Sequence, residues 1–236
     1  MIDGPVLVRE ALAAGLLVEE VFADPSADSE VIDIAAAAGA IVRGVSPEVL
    51  SRAVDTVTPN GMAAIARRID ISVDAAIDAA AAGPLVLVLV DVADPGNAGT
   101  LLRVAESAGA AAVLFCGSSV DPCNPKCVRA SAGALFHLPV ASGGDALAIL
   151  ERLGQQEVRT LATVPSGAAA YDTVDLTGPV AIVLGGEAHG LPELVTAAAG
   201  TRVTIPMEGR SDSLNVAMAG AVLCFEASRQ RRSAAP

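Results

Sequence analysis

The segment LVLVLVDV, residues 85–92, constrains the fold more than any other part of the chain. Its consecutive apolar residues predict a strand buried on both faces, as the central strands of a parallel sheet are. Predicted strands and helices then alternate to the end of the chain, which indicates a parallel sheet covered by helices on both faces. The fold class is therefore α/β. Ligands bind such sheets beyond the carboxyl ends of the strands, and three predicted loops lie there: DPGNAG, GGEAHG and PMEGRSDS.

The order of these patterns predicts two domains. Residues 1–69 alternate helical and strand patterns and predict a small α/β domain, whose first helix begins almost at Met1. Residues 70–83 are acidic and alanine-rich, and we interpret them as a linker or a short linking helix. The larger α/β domain then occupies residues 84–236.

Composition restricts both the core and the compartment. The chain of 236 residues is 53% hydrophobic but only 2% aromatic, so closely packed small side chains must form the core. Its longest apolar run, GPLVLVLV, has the length of a strand rather than of a membrane-spanning helix. The N-terminal sequence MIDGPVLVRE has no basic region before an apolar one, so it does not resemble a secretory signal. We therefore predict a cytoplasmic protein.

The charge distribution argues against a protein that holds nucleic acid by charge alone. The net charge is −12, with 5 arginines against 13 acidic residues in residues 1–83 and 10 basic against 14 acidic residues in 84–236. An RNA partner would therefore need local contacts. Lys126 and Arg129 lie close together in a segment that reads as a tight loop, and Arg210 is a third candidate for RNA binding. The alternative for the pair is an ordinary solvated loop.

Signatures of metal or nucleotide cofactors are weak. The spacing of Cys116, Cys123 and Cys127, even with His137 added, fits no common zinc template, so free thiols and no metal site are predicted. The sequence has neither the GxGxxG nor the GxxxxGK[ST] motif, which disfavours nicotinamide and nucleoside triphosphate chemistry. His189 is interpreted as exposed or structural rather than catalytic, because no partner for a triad is visible.

Two of the predicted loops carry candidate functional residues. Asn97 lies in the DPGNAG turn, where its side chain can cap or donate, and Arg103 follows in the second turn of the next helix. Gly185 and Gly186 end a buried strand, where glycines let a ligand approach the backbone, and Glu187 comes next. The alternative is a pair of ordinary turns, with Glu187 favoured near a helix N-terminus.

The last helix begins with an unusually polar tip. In SDSLNVAMAGAVLCFEASRQ, Ser211, Asp212 or Ser213 is predicted to be the N-cap. A cap needs only one polar residue, so the surplus, which includes Arg210 and Asn215, indicates a site.

Three segments resemble, in order, the signature motifs of the SpoU/TrmH family of RNA ribose 2′-O-methyltransferases in the SPOUT superfamily: DPGNAGTLLRVAESAGA, IVLGGEAHGL and IPMEGRSDSLNVAMAGAVLCFEASRQ. The resemblance covers residues 84–232 and includes the intervening VRASAGALFHLPV. The part from DGPVLVREAL onward is similar to the small substrate-binding domain that precedes the catalytic domain in many members. The resemblance implies a C-terminal trefoil knot, a homodimer whose active site draws on both subunits, and S-adenosylmethionine as the methyl donor.

The resemblance also implies which residues form the site. Six positions match or adjoin the family's cofactor contacts, the first three through their backbone: Gly185, Ile205, Leu214, Thr163, Leu184 and Met207. Five match its polar active-site positions: Asn97, Arg103, Glu187, Ser213 and Asn215.

Arg103 matches the residue that the family is proposed to use as a base. The ribose 2′-hydroxyl must attack the methyl group in line and lose its proton, but a guanidinium with a pKa above about 12 is a poor base. We therefore expect Arg103 to hold a neighbouring phosphate and to stabilise the developing alkoxide. The amide and hydroxyl side chains would orient groups by hydrogen bonds, and Glu187 would fix that network.

The implied function is 2′-O-methylation of structured RNA, with 23S ribosomal RNA as the first expectation and transfer RNA as an alternative. A non-catalytic RNA-binding or ribosome-assembly factor and a small-molecule α/β enzyme are the rival interpretations. Members with this N-terminal domain usually have a basic lead-in, which is absent here. Either the start is truncated or misassigned, or RNA binds to other surfaces. The apolar half of the last helix, with Met218, Val222 and Phe225, is expected to be core or dimer surface.

Overall fold

A computed structural model of the chain describes residues 1–54 and 60–234. The first part is a small domain with a four-stranded sheet in the order β1-β4-β2-β3, in which only β2 and β3 are parallel. Its strands and helices, in chain order, are β1 (Ile2–Asp3), α1 (Pro5–Ala13), β2 (Val18–Ala23), α2 (Ser29–Ala37), β3 (Ile41–Gly44), α3 (Pro47–Ala53) and β4 (Met62–Ala66). The two-residue strand β1, which pairs with β4, was not predicted from the sequence.

The second part contains a seven-stranded sheet in the order β7-β6-β5-β10-β8-β11-β9, and every pairing in it is parallel. The parallel α/β fold and the small domain ahead of it are therefore confirmed. The elements, in chain order, are α4 (Val73–Ala82), β5 (Leu85–Val90), α5 (Pro95–Ser107), β6 (Ala112–Cys116), α6 (Pro125–Ser131), β7 (Val140–Ser142), α7 (Ala146–Gln155), β8 (Arg159–Thr163), β9 (Ala169–Ala170), β10 (Val180–Gly185), α8 (Glu193–Ala198), β11 (Thr201–Thr204) and α9 (Val216–Ala234).

Strand β5 lies in the middle of this sheet and is buried along its whole length. Alternate side chains of β5 enter two different cores, because successive residues of a strand point to opposite faces. Leu85, Leu87 and Leu89 pack with residues of α5, α6 and α9, and this core continues into the small domain. Val86 and Val88 pack with residues of α4, α7 and α8 on the other face. The continuous apolar run thus corresponds to a strand that is covered on both faces.

Residues 70–83, predicted to be a linker or a short linking helix, contain α4. Ala76, Ile77 and Ala80 of this helix are buried in the second core, so the helix is part of the cover of the large sheet. Its exposed Asp74 forms an ion pair with Arg152 of α7.

Two segments that the sequence analysis treated as loops are helical. Helix α5 begins at Pro95, inside the predicted DPGNAG loop, because the Asp94 carboxylate caps it by accepting a hydrogen bond from the backbone N–H of Asn97 at 2.7 Å. The segment with Lys126 and Arg129 is helix α6 rather than a tight loop, and Asn124 caps it. None of the described helices is long and apolar enough to cross a membrane.

Candidate active site

The carboxyl ends of β8, β10 and β11 open into a cavity of about 560 Å³. Four stretches line most of it: residues 163–165, 184–191, 203–205 and 213–216. This is the edge of the sheet at which parallel α/β proteins bind ligands, and the volume lies within the range for small organic molecules.

All six residues predicted to contact a cofactor line this cavity. Leu184, Ile205, Met207 and Leu214 present apolar side chains, whereas Gly185 presents only backbone. The sixth is Thr163, whose hydroxyl donates to the carbonyl of Val183 at 2.9 Å. The lining therefore combines apolar surface with exposed backbone groups, a chemistry that suits a nucleoside-like ligand.

The two glycines at the end of β10 serve the chain's own packing. A Cβ on Gly185 would collide with the backbone of Gly190 and Leu191, and one on Gly186 would collide with the carbonyl of Asp91. The backbone N–H of Gly190 donates to the carbonyl of Gly186 at 2.9 Å, so the loop folds back across the strand end. The packing of this loop thus requires both glycines. Their backbone still lines the cavity, so the expectation that it lets a ligand approach stays a prediction.

Asp91 holds the exit of β5 in a left-handed conformation, with φ of 57°. Its carboxylate accepts a hydrogen bond from the backbone N–H of Ser118 at 2.7 Å, while its carbonyl contacts Gly186. A left-handed residue other than glycine costs roughly 1–2 kcal/mol, and aspartate tolerates it better than most. Asp91 therefore joins the ends of β5, β6 and β10. Sequence reasoning missed this residue.

Asn97, Glu187 and Asn215 form one hydrogen-bond network beside the cavity. The Asn97 side-chain amide donates to a carboxylate oxygen of Glu187 at 2.8 Å, and its carbonyl accepts from the Asn215 amide at 3.0 Å. Glu187 and Asn215 line the cavity directly, and Asn97 lies behind them. Three motifs that are far apart in sequence thus meet at one point, as the prediction of a joint site requires.

Asn215 is also the cap of helix α9. Its side-chain oxygen accepts from the backbone N–H groups of Ala217 and Met218, at 2.9 and 3.3 Å. The prediction that Ser211, Asp212 or Ser213 caps this helix is wrong, because the helix begins later, at Val216. Ser213 lines the cavity instead.

Arg103 is the predicted catalytic residue that lies apart from the others. Six residues after Asn97 on α5, it is about 9 Å further along the axis and about 120° around it. Its side chain is exposed, does not line the cavity, and makes no hydrogen bond or ion pair with any residue that the structure describes. A single chain does not bring Arg103 to the cavity.

The three predicted RNA-binding residues lie in different environments. Lys126 is exposed on α6, and Arg210 is exposed in the loop between Met207 and Ser213, both of which line the cavity. Arg129 instead forms an ion pair with the buried Asp3 at 3.7 Å, which joins the two domains. Arg129 is thus a structural cation rather than a free one.

The cysteines and histidines lie in separate environments in the described structure. Burial raises the pKa of the Cys116, Cys127 and Cys224 thiols to about 12, so they stay protonated. Among the described residues, no group of three potential ligands is arranged to bind a metal ion. His137 lies 3.5 Å from Glu10 of the small domain, whereas His189, expected to be exposed or structural, is exposed and lines the cavity.

Two family models match the chain along most of its length. Residues 84–225 match the SpoU rRNA methylase family, and residues 1–71 match the substrate-binding domain of RNA 2′-O ribose methyltransferases. These two matches fall on the larger and the smaller part of the fold, respectively.

Individual proteins are also similar to this chain. A 23S rRNA (guanosine-2′-O-)-methyltransferase, RlmB of Xanthomonas axonopodis pv. citri, is 40% identical over 158 residues, 67% of this chain and 64% of that protein. An uncharacterised tRNA/rRNA methyltransferase of Synechocystis is 35% identical over 195 residues, 80% of this chain and 68% of that protein. The chain thus spans about two thirds of the length of these curated relatives. The crystal structure of an AdoMet-bound rRNA methyltransferase from Sinorhizobium meliloti has 30% identity and a TM-score of 0.84, and the match covers 99% of this chain and 87% of that one.

Proposed function

Because the chain belongs to the SpoU rRNA methylase family, we propose that it transfers a methyl group from S-adenosylmethionine to a ribose 2′-hydroxyl of 23S ribosomal RNA. The observation that carries the proposal is the convergence at one cavity of the six predicted cofactor residues and of the network joining Asn97, Glu187 and Asn215. The relative with 40% identity is named for guanosine in 23S rRNA, which supports both the RNA class and a guanosine ribose as target.

S-adenosylmethionine supplies a methyl group on a positively charged sulfur, which needs no further activation. The residues of the cavity fit such a ligand, because apolar side chains of Leu184, Ile205 and Leu214 can cover an adenosine while Glu187 and Asn215 offer polar groups at the mouth. The backbone around Gly185 would hydrogen-bond the cofactor's polar edge. Glu187 would place negative charge near the sulfonium, and Asn97 would hold that carboxylate in position.

The hydroxyl that receives the methyl group must be oriented. As its oxygen bonds to the methyl carbon, the carbon–sulfur bond breaks to leave a neutral thioether, and the hydroxyl proton passes to solvent water. Ser213 and Asn215 at the start of the α9 segment would orient it by hydrogen bonds. Arg103 would hold the adjacent phosphate and stabilise the developing alkoxide, because a guanidinium pairs well with phosphate and other oxyanions. Since Arg103 lies outside the cavity of its own chain, we assign it to the cavity of a second copy.

A homodimer with a knotted C-terminal domain completes the proposal. Met218 and Phe225 are 54% and 47% exposed on α9, and they lie seven residues apart on one side of the helix, with the half-buried Val222 between them. Neither is core, so of the two expectations for this stretch the dimer surface is the one that we propose. The strand order, which inserts the late strand β10 between β5 and β8, supports the knot.

Methyl transfer in vitro tests the proposed function. The chain would be incubated with S-adenosylmethionine labelled in its methyl group and with total RNA from cells that lack this gene. We expect the label at one ribose of 23S rRNA, where 2′-O-methylation blocks alkaline cleavage of the next phosphodiester bond. Label in transfer RNA would establish the alternative substrate. RNA binding with no cofactor binding in calorimetry would favour a non-catalytic assembly factor.

A further inference from the structure

The arginines of the small domain are engaged with the domain's own acids. Four of its five arginines form ion pairs in the described structure: Arg9 with Asp28 and Glu30, Arg43 with Glu20, Arg67 with Glu19, and Arg68 with Asp70 and Asp121. With 5 arginines against 13 acidic residues up to residue 83, nearly every basic group there has a carboxylate beside it. A phosphate that approached such a pair would meet both charges.

Several basic side chains of the larger domain differ from these, because they have no carboxylate partner among the described residues. Five of its basic side chains are exposed and have no ion pair among the residues that the structure describes: Arg103, Lys126, Arg202, Arg210 and Arg232. Arg232 donates a hydrogen bond to the hydroxyl of Ser228 and contacts no carboxylate in the described part of the chain. The other arginines of this domain are paired with carboxylates or, in the case of Arg231, partly buried against the carbonyl of Ala108.

Four of these cations belong to segments that carry or adjoin residues of the candidate site, whereas Arg232 lies in the last turn of α9, away from the cavity. Arg202 lies on β11 next to cavity-lining Val203, and Arg210 lies in the loop that follows. Arg103 is on α5, the helix that carries Asn97, and Lys126 is on α6. The two helices pack closely, because the Cα of Gly99 on α5 faces the backbone of α6 with no room for a Cβ.

We propose that the RNA phosphates are contacted by the unpaired cations of the larger domain, and that the small domain contributes to RNA binding without net neutralisation of phosphates. The inference rests on the RNA substrate of the proposed function. The physical reason is counterion release. An unpaired cation that neutralises a phosphate releases one counterion from the RNA, whereas a cation that is already paired with a carboxylate brings no net positive charge and releases none. The candidates from the sequence change accordingly, since Arg129 is removed and Arg202 is added.

The salt dependence of RNA affinity tests this assignment. The dissociation constant of the full chain for unmodified, in vitro-transcribed 23S rRNA would be measured from about 50 to about 300 mM KCl. Binding through phosphate contacts weakens strongly over this range of salt concentration. A plot of the logarithm of the association constant against the logarithm of the salt concentration has a negative slope. Its steepness should fall by about 0.7–0.9 in each of the single variants Lys126→Gln, Arg202→Gln and Arg210→Gln, and by about 2–3 in the triple variant. Affinity for S-adenosylmethionine should stay unchanged.

Arg43→Gln and Arg67→Gln are the matched controls, because each removes one positive charge from an exposed but paired arginine. They should leave the slope unchanged, and so exclude an effect of net charge alone. An unchanged slope in the triple variant, or an equal fall in the controls, would overturn the assignment. If the wild-type chain bound no RNA even at the lowest salt, the proposed substrate itself would be wrong, and that outcome is distinct from a misplaced slope.

Discussion

Two regions of the molecule differ in whether one chain supplies all their contacts. The rim of the cavity is formed by the predicted cofactor residues with Asn97, Glu187 and Asn215, and the outer face of α5 and α9 carries Arg103, Met218 and Phe225. At the rim, all six residues predicted to contact the cofactor line the cavity, and the side chains of Asn97, Glu187 and Asn215 are hydrogen-bonded in one network. On the outer face, Arg103 makes no hydrogen bond or ion pair with the described residues, and Met218 and Phe225 leave about half of their surface exposed. We therefore expect one chain to bind the cofactor by itself, and we expect methyl transfer to need the second copy that the proposed function invokes.

The physical basis of this difference is local. The rim consists of backbone segments fixed by short-range bonds, such as the one from Gly190 to Gly186 and the cap of α9. The outer face instead presents side chains that gain stability only when another surface covers them.

The largest expected effect comes from Arg103→Ala. We expect methyl transfer to fall by about three orders of magnitude, since the group that stabilises the alkoxide is lost. Affinity for S-adenosylmethionine should change less than about twofold, because Arg103 is proposed to contact the RNA phosphate and the alkoxide rather than the cofactor. Single-turnover kinetics and calorimetry measure the two quantities separately. Unchanged turnover would remove Arg103 from the mechanism.

A mixing experiment tests whether Arg103 acts on the second copy. Arg103→Ala and Glu187→Gln subunits are each inactive by expectation, but a mixed dimer would contain one cavity with both residues intact. Random exchange should restore about a quarter of the wild-type rate in a twofold-symmetric dimer. No recovery on mixing would place Arg103 and Glu187 in the same subunit's site.

The next effect is expected from Met218→Asp combined with Phe225→Asp. A charge on each of these side chains should prevent a second copy from covering α9, so the mass in sedimentation should halve and transfer should fall about 10–100-fold. Affinity for S-adenosylmethionine should remain if one chain forms the cavity. Val6→Asp is the control, because Val6 is an even more exposed apolar residue and lies in the small domain. A variant that stays dimeric would show that the interface lies elsewhere.

The sequence predicted the rim well because topology fixes it. A run such as LVLVLV is typical of a doubly covered strand. Parallel strands bring their carboxyl ends, and hence Asn97, Glu187 and Asn215, to one edge. The family resemblance then added which residues at that edge serve the cofactor. The fold class therefore followed from the pattern of apolar runs and helices. The position of the three loops followed from the rule that parallel sheets bind ligands at the carboxyl ends of their strands.

The sequence could not predict how polar residues pair over long distances. Arg129 was expected to contact RNA, but Asp3, far away in sequence, neutralises it. The cap of α9 was placed too early, because Asn215 serves both the helix and the bond to Asn97. The strained turn at Asp91 depends on Ser118 and Gly186, neither of which is a sequence neighbour.

A smaller effect, within the rim itself, is expected from Asn97→Ala. Loss of the amide frees both Glu187 and Asn215, so turnover should fall about 10-fold to 100-fold while cofactor affinity changes only a few-fold. Asn97→Asp should be worse, because it places a second carboxylate beside Glu187. Asn124→Ala, which removes the cap of α6 away from the cavity, is the control for lost stability. Equal losses of rate in both alanine variants would reduce Asn97 to a structural residue.

The smallest effect concerns the far end of α9, where Glu226 interacts with Arg229 and Gln230. Hydrogen bonds from Arg229 and then Gln230 lower the pKa of the Glu226 carboxyl to about 2, from an ordinary value of 4.5. A lowered pKa in the folded state means that the pair stabilises the fold above pH 4.5 and ceases to do so as the pH falls towards 2. Glu226→Gln should therefore lower the free energy of unfolding by less than about 1 kcal/mol at pH 7, and the difference from wild type should shrink towards pH 3. Denaturant titrations at both pH values measure this difference, with Glu106→Gln on α5 as the control for loss of an exposed carboxylate.

Gln230 connects this end of α9 to the backbone at Val174 and Leu176, away from the cavity, so affinity of the Glu226→Gln variant for S-adenosylmethionine should not change. A change in that affinity would mean that the two ends of α9 are coupled, and that the rim is less self-contained than its hydrogen bonds indicate.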